Sequence, residues 1–326
     1  MTGIKERLLP LVEKDLEKIE AALEENLTPH VELVKEIAGH LMFAGGKRLR
    51  PLLIVLSARI CGYEDNFVTK FSTIFEYLHT ATLLHDDVID GAVMRRGKPV
   101  ANAVFGAPVT ILTGDYLLAR ALRIAAESDS IPIIKVVSGM TEDISEGEII
   151  QLIKKGDVSF TEDEYMNVIR RKTGVLIRGA CKTGAILAKA STEQEDALTQ
   201  YGDNLGLVFQ IADDILDYTA NTGELGKTVG ADLREGKLTL PVIHALRESS
   251  PQDRNRMETI IANPDFTEDE FEILLRLLST YGGIEYARRI ATGYVQAAKR
   301  SLEIFEPSET RDILAMMADY ALSRRS

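Results

Sequence analysis

The run Glu76-Tyr77-Leu78-His79-Thr80-Ala81-Thr82-Leu83-Leu84-His85-Asp86-Asp87-Val88-Ile89-Asp90 ends on carboxylates spaced i, i+1 and i+4. The same spacing returns in Asp213-Asp214-Ile215-Leu216-Asp217. An apolar stretch precedes each set, Tyr77 to Leu84 in one case and Leu205 to Ala212 in the other. In helical segments the first and third aspartates of a set share a face, one turn apart. Six carboxylates tied to apolar helix faces are costly to bury without cations. Hard oxygen ligands in this number suit Mg2+, which keeps several waters and shares substrate phosphates. One such set, taken alone, reads as a solvated helix face. Two sets with identical spacing and apolar flanks, each followed by a basic loop, point instead to two walls of a cavity where magnesium holds a diphosphate.

The whole chain sets bounds on that reading. Its 326 residues fit one large domain or two. Hydrophobic residues make up 45% and charged residues 27%, as in a soluble globule with a core. A formal net charge of −12 argues against nucleic acid as partner, while locally clustered bases suit small anions. Cys61 and Cys181 each stand alone in apolar settings, which fits buried thiols in a reducing cytosol. Met1 to Asp15 is charged throughout and lacks a signal-peptide core. No stretch approaches the ~20 apolar residues that span a bilayer. A soluble, cytoplasmic protein is expected.

The periodicity is helical nearly everywhere. Leu8, Leu11, Val12, Leu16, Ile19 and Leu23 form one stripe, and Val31, Val34, Ile37, Ala38, Leu41 and Met42 the next. The pattern predicts helices over 3–26, 30–43, 52–61, 65–90, 108–127, 132–154, 162–190, 193–218, 239–249, 252–262, 268–280, 283–305 and 309–324. Thr161 with Glu164, Thr192 with Glu195 and Thr267 with Glu270 read as capping boxes. Pro132, Pro241 and Pro251 stand where helices can begin. Thr173-Gly174 and Gly179 weaken the middle of 162–190, which can divide into two helices there. No Pro/Ser-rich linker and no solenoid repeat is visible. The expectation is a single all-α domain over 1–326, built on a central bundle.

Basic clusters accompany the acids. In Gly45-Gly46-Lys47-Arg48-Leu49-Arg50-Pro51, two glycines allow close backbone approach before three cations at a helix start. Arg95-Arg96-Gly97-Lys98 follows Asp90 across Gly91, where arginine's planar fork suits terminal diphosphate oxygens. Lys172-Thr173-Gly174 interrupts a helical run. Lys227 and Lys237 lie in a glycine-rich stretch after Asp217 that is long for a compact domain, which suggests a functional loop. His79 lies two turns before Asp86, while His85 reads as a satisfied helix histidine. There is no G-x-S-x-G, no zinc spacing and no P-loop, since arginine follows Gly46-Lys47.

Taken in order, several pieces resemble the trans-isoprenyl, or polyprenyl, diphosphate synthases over about residues 45–240. They are Gly45 to Pro51, Asp86 to Asp90 with Arg95-Arg96-Gly97, Lys172-Thr173, Phe209-Gln210-Ile211-Ala212-Asp213-Asp214 through Asp217, Gly226-Lys227 and Gly236-Lys237. The resemblance implies an isoprenoid-synthase fold, with antiparallel helices around a central catalytic cavity, usually as a homodimer. It implies Mg2+ (up to ~3 per active site) held directly by Asp86, Asp90 and Asp213, with Asp87, Asp214 and Asp217 in support. Lys47, Arg50, His79 and Arg96 would hold isopentenyl diphosphate, and Arg48 of the same cluster is counted as substrate-binding. Arg95, Lys172, Thr173, Gln210, Lys227 and Lys237 would hold the allylic diphosphate. The six aspartates with Lys172 and Lys227 form the catalytic set.

Such an enzyme needs no triad, because catalysis comes from leaving-group stabilisation and positioning. A class I terpene cyclase shares the first motif, but it holds one diphosphate and benefits from an aromatic wall. This chain has no Trp and 6% aromatics. A non-catalytic partner subunit should have lost carboxylates, and all six are here. Small residues at Ala81 and Thr82 leave room for a medium-to-long chain, against the alternative of a farnesyl- or geranylgeranyl-length product. Met140 is a candidate for the floor. The pattern looks most like octaprenyl-type synthases, whose product serves as a quinone side chain. Release of such a product suggests transient membrane association.

Overall fold

The computed structural model describes residues 3–95, 97–219, 230–263 and 265–323. The chain opens with α1 (Ile4–Asn26), α2 (Glu32–Met42), α3 (Leu49–Ile60) and α4 (Asn66–Ile89). A short antiparallel hairpin follows, β1 (Met94–Arg95) and β2 (Lys98–Pro99), with Met94 opposite Pro99 and Arg95 opposite Lys98. Next come α5 (Ala101–Phe105), α6 (Ala107–Ala126), α7 (Ile131–Ile153) and α8 (Glu162–Ile169). A π turn over Arg170–Gly174 joins α8 to α9 (Val175–Leu187), before α10 (Thr192–Thr219). The chain ends with α11 (Ala231–Arg234), α12 (Leu240–Glu248), α13 (Pro251–Ile261), α14 (Glu268–Thr280), α15 (Gly283–Ser301) and α16 (Glu309–Ser323). The fold is all-α, and the hairpin is the only strand pair among the described residues.

Local signals set most boundaries. Thr161 and Thr267 each accept the N3 backbone N–H while Glu164 and Glu270 reach back, closing both capping boxes. The third box forms one residue earlier than Thr192: Ser191 exchanges these bonds with Gln194, which serves as well as Glu at that position. Gly106, at φ 90°, separates α5 from α6; α5 falls where the pattern predicts no helix, and α6 opens one residue before the expected 108. The 162–190 segment divides at the π turn, which contains Thr173-Gly174.

Contacts group the chain into two compact units, each gathered from separate stretches. The cuts fall inside helices α7, α9, α10, α15 and α16 rather than in a linker. The first unit takes residues 1–141, 176–202 and 300–317. Its centre is α4, which packs on α6, α3 and α1. Phe71, Ile74, Phe75, Tyr77 and Leu78 are fully buried, so the middle of α4, over 71–78, is covered on every side. The Tyr77 hydroxyl donates to the Leu23 carbonyl at 2.9 Å, so the core carries no orphan phenol. Arg59 grips Asp15 through Nη1 and Nη2 at 2.9 and 2.6 Å and ties α3 to α1.

The second unit takes 142–175, 203–299 and 318–326, around a core that includes Tyr165, Leu207, Ile211, Tyr218, Met257 and Phe271. Within it α10 and the π turn meet backbone to backbone. A Cβ on Gly206 would lie 2.6 Å from the Gly174 Cα and 3.1 Å from its oxygen. No side chain can yield there, so this crossing requires glycine.

Gly206→Ala should therefore cost about 1–3 kcal/mol of stability. Gly293→Ala, at an exposed position of α15 with nothing within 4 Å of the added Cβ, should gain about 0.5–1 kcal/mol. Denaturant melts followed by circular dichroism should move in opposite directions for the two variants. A Gly206→Ala protein as stable as the wild type would contradict the backbone crossing.

Candidate active site

The first acidic set closes α4. Its Asp65 N-cap accepts from the Phe67 N–H at 2.7 Å, and the helix runs without interruption to the aspartates. Beyond Asp90 the Ala92 N–H bonds the Asp87 carbonyl at 3.0 Å and the Gly91 N–H bonds that of Val88 at 3.3 Å. With Gly91 at φ 63° this is a Schellman stop, and it turns the chain straight into the β1–β2 hairpin.

The lower half of α4 has two faces. Tyr77, Thr80, Ala81, Leu84 and Asp87 are buried, whereas His79, Thr82, Leu83, Asp86 and Asp90 are half-exposed. Asp86 and Asp90 thus share the open stripe with His79 and Thr82. Asp87 lies on the buried face, 2% exposed, and accepts from Arg95 Nε at 2.9 Å and Nη2 at 2.8 Å. The hairpin therefore returns Arg95 to the carboxylate that the helix hides. His85 is tied to α6, with Nε2 3.1 Å from the Ile111 carbonyl and 3.4 Å from Asp115. It fills a notch at Gly114, where a Cβ would meet its ring at 2.3 Å.

The basic cluster divides unevenly. Lys47 is exposed and Arg50 half-buried. Arg48 is 4% exposed and engaged by Glu20, Glu76 and the Met42 carbonyl. Its guanidinium is committed to protein partners, so the sequence-based placement of Arg48 on substrate is revised. Burial and the two carboxylates act on it in opposite senses, and the net effect raises its pKa further.

The second acidic set repeats the division. On α10 Asp213 is exposed, Asp217 half-buried and Asp214 1% exposed. Asp214 accepts from the Tyr165 hydroxyl at 2.6 Å and from Gln210 Nε2 at 2.7 Å, and the Thr173 hydroxyl donates to Gln210 Oε1 at 2.8 Å. Thr173, Gln210, Asp214 and Tyr165 form one chain of hydrogen bonds from the π turn through α10 to α8. Burial, then the charge of Asp232, pushes the Asp214 carboxyl well above the usual carboxylate range, against the two donors. Burial beside Asp214 raises Tyr165 likewise. Asp217 accepts from the N–H groups of Ala231 and Asp232 at 3.1 and 3.2 Å, which fastens the start of α11 to the end of α10.

Lys172 does not join that chain. Its Nζ bonds Gln151 Oε1 at 2.8 Å and pairs with Glu148, both on α7. Lys237 pairs with Glu235 at 2.5 Å. Met140 is 3% exposed and its thioether occupies the space over Gly179. Arg96 and Lys227 lie outside the described residues. Tyr165, Glu148, Gln151 and Asp232 carry no signal in the sequence: each sits on an ordinary helix and becomes relevant only through a partner distant in the chain.

Among the described residues no three His, Cys, Asp or Glu side chains group closely enough to hold a metal alone. The donor chemistry still fits a hard divalent cation that shares its shell with phosphate and water. Asp86, Asp90 and Asp213 present carboxylates at or near the surface, and the two buried neighbours are held by protein donors.

The family model described as polyprenyl synthetase matches residues 31–278. The octaprenyl diphosphate synthase of Escherichia coli K12 is 37% identical over 319 residues, covering 98% of each chain. A short chain isoprenyl diphosphate synthase of Methanothermobacter thermautotrophicus is also 37% identical, over 303 residues and 92% of each chain. The crystal structure of a polyprenyl synthase from Caulobacter crescentus CB15, complexed with calcium and isoprenyl diphosphate, superimposes with a TM-score of 0.93 at 37% identity, covering 99% of this chain and 98% of the other. With the two acidic sets and the basic clusters in family order, the chain belongs to the polyprenyl synthetase family.

Proposed function

We propose that this protein is a trans-prenyltransferase that condenses an allylic diphosphate repeatedly with isopentenyl diphosphate. The product is a medium-to-long all-trans polyprenyl diphosphate, of the octaprenyl type. The observation that carries this reading is the division repeated in both acidic sets, with Asp86, Asp90 and Asp213 accessible and the middle aspartates, Asp87 and Asp214, buried and bound. The octaprenyl relative supports the length, and the equally similar short-chain relative is why product analysis is the deciding experiment. Because the unit boundaries cut helices, we read residues 1–326 as one catalytic domain. The exposed Ile111, Leu112 and Leu122 of α6 support a homodimer. No helix among the described residues is long and apolar enough to cross a membrane, so contact with a bilayer for product release would be transient.

Family membership and the calcium-bound relative support a divalent metal requirement. Mg2+ (up to ~3 per site) is the ion that carboxylate oxygens shared with diphosphate favour. Bound cations would neutralise the allylic diphosphate and make it a leaving group. Asp86, Asp90 and Asp213 would hold them, while Arg95 on Asp87, and Tyr165 and Gln210 on Asp214, keep the buried carboxylates oriented. Lys47, Arg50, His79 and Arg96 seat isopentenyl diphosphate. Arg95, Lys172, Thr173, Gln210, Lys227 and Lys237 would hold the allylic diphosphate, with Arg95 also on Asp87 and Thr173 bonded to Gln210. The allylic C–O bond breaks, the isopentenyl double bond attacks the resulting cation, and a proton leaves. The departed diphosphate is basic enough to take that proton, so no side-chain base is required.

Asp86→Ala and Asp213→Ala should each lower turnover at least ~10²-fold, the scale of losing an electrostatic transition-state stabiliser. Turnover with isopentenyl and farnesyl diphosphates and Mg2+ tests this, and near-normal rates in either folded variant would defeat the two-set reading. Tyr165→Phe removes one hydroxyl from Asp214 and should weaken activity or metal affinity ~10-fold, as losses of partners behind metal ligands do. A titration of rate against Mg2+ concentration that overlays the wild-type curve would show that the hydroxyl has no such role. For product length, Thr82 is the better position than Ala81. Thr82 lies on the half-exposed stripe with Asp86, while Ala81 is fully buried and Phe there would overpack the core. Thr82→Phe should shorten the product towards farnesyl or geranylgeranyl length, and Met140→Ala should lengthen it. Chromatography of the dephosphorylated products decides, and unchanged length in both variants would mean that neither residue limits the chain.

A further inference from the structure

Arg48 sits among the residues assigned to isopentenyl diphosphate without being one of them. Lys47 and Arg50 flank it in sequence, and its Nη1 donates to Glu76 Oε1 at 2.8 Å, one turn before His79 on α4. Nε and Nη2 fork onto Glu20 at 2.6 and 3.1 Å, and Nη2 also donates to the Met42 carbonyl at 2.8 Å. Arg48 is the N-cap of α3 and has left-handed backbone angles, φ 46° and ψ 32°. That region is disfavoured for any residue with a Cβ and persists where surrounding contacts over-determine it. Gly46 makes room for the arrangement, since a Cβ there would lie 2.8 Å from Arg48 Nη1. The second glycine of the cluster is therefore explained by the guanidinium.

An apolar side chain at position 48 would serve the core at least as well as a buried charge, and without four bonds to satisfy. What the arrangement supplies is direction. A planar guanidinium gripped by α1, α4 and the end of α2 fixes where α3 starts and how the chain enters it. That entry carries Lys47 on one side of Arg48 and Arg50 on the other, and Glu76 ties both to the helix bearing His79. We propose that Arg48 and Glu76, with Glu20 as an outer clamp, are positioning residues that assemble Lys47, Arg50 and His79 into one diphosphate-binding group for isopentenyl diphosphate. The proposal rests on the functional reading above.

Steady-state kinetics on the full chain, with isopentenyl and farnesyl diphosphates varied in turn at fixed Mg2+, test it. Glu76→Ala should raise KM for isopentenyl diphosphate roughly tenfold and leave KM for farnesyl diphosphate within about twofold, the scale set by small misplacements of binding groups. Glu76→Gln, which keeps an oxygen acceptor of the same shape, should recover most of the loss. A purely structural role would lower the melting temperature and the active fraction and leave both KM values alone. Should Glu76→Ala fail to fold by circular dichroism, Glu20→Ala removes a half-exposed partner and should raise the isopentenyl KM by about threefold. An unchanged isopentenyl KM in the folded variants, or both KM values rising together, overturns the proposal alone. A wild-type protein inert with both substrates overturns the functional reading and the proposal with it.

Discussion

A carboxylate taken from water into a helix bundle loses hydration worth several kcal/mol unless donors replace it. Asp87 and Asp214 meet that demand differently. Asp87 takes a full positive charge from Arg95, delivered by a hairpin that the Schellman stop at Gly91 aims back at the helix. Asp214 takes neutral donors, a phenol and an amide, and its carboxyl remains high among carboxylates. Because both middle aspartates are committed to protein, their helices are held at one rotation, and that rotation turns Asp86, Asp90 and Asp213 outward.

Glycine at close approaches serves the same end. Gly206 against Gly174 lets α10 touch the π turn, so that Thr173 reaches Gln210 at 2.8 Å. Gly114 lets the His85 ring bond the α6 backbone immediately before the first acidic set. In both cases a missing side chain permits a polar contact that a methyl group would prevent.

Helices were legible in the sequence because their signals are local. Pro251 begins α13, and Thr161 and Thr267 form their boxes. The weakness at Thr173-Gly174 was legible too, although its form as a π turn was not, since that depends on what packs against it. The acidic and basic clusters were visible from spacing, but the partners of their side chains were not. Arg48 looked like its neighbours Lys47 and Arg50, and only the folded positions of Glu20 and Glu76 distinguish it. Tyr165 had no mark at all, because a tyrosine on the apolar face of a short helix is ordinary until Asp214 is placed beside it.

The π turn also sets a phase. A regular helix from α8 into α9 would advance each side chain by ~100°, and the wider i→i+5 turn absorbs roughly one residue of that rotation. Residues before Arg170 and after Gly174 therefore obey two different helical wheels, with Lys172 and Thr173 at the change. Because the turn already accommodates that extra residue, deleting one residue there would restore a regular helix and put both flanks on a single wheel, each keeping its own hydrophobic pattern. What such a deletion would remove is the turn itself, and with it the local backbone path that sets the Thr173 hydroxyl on Gln210.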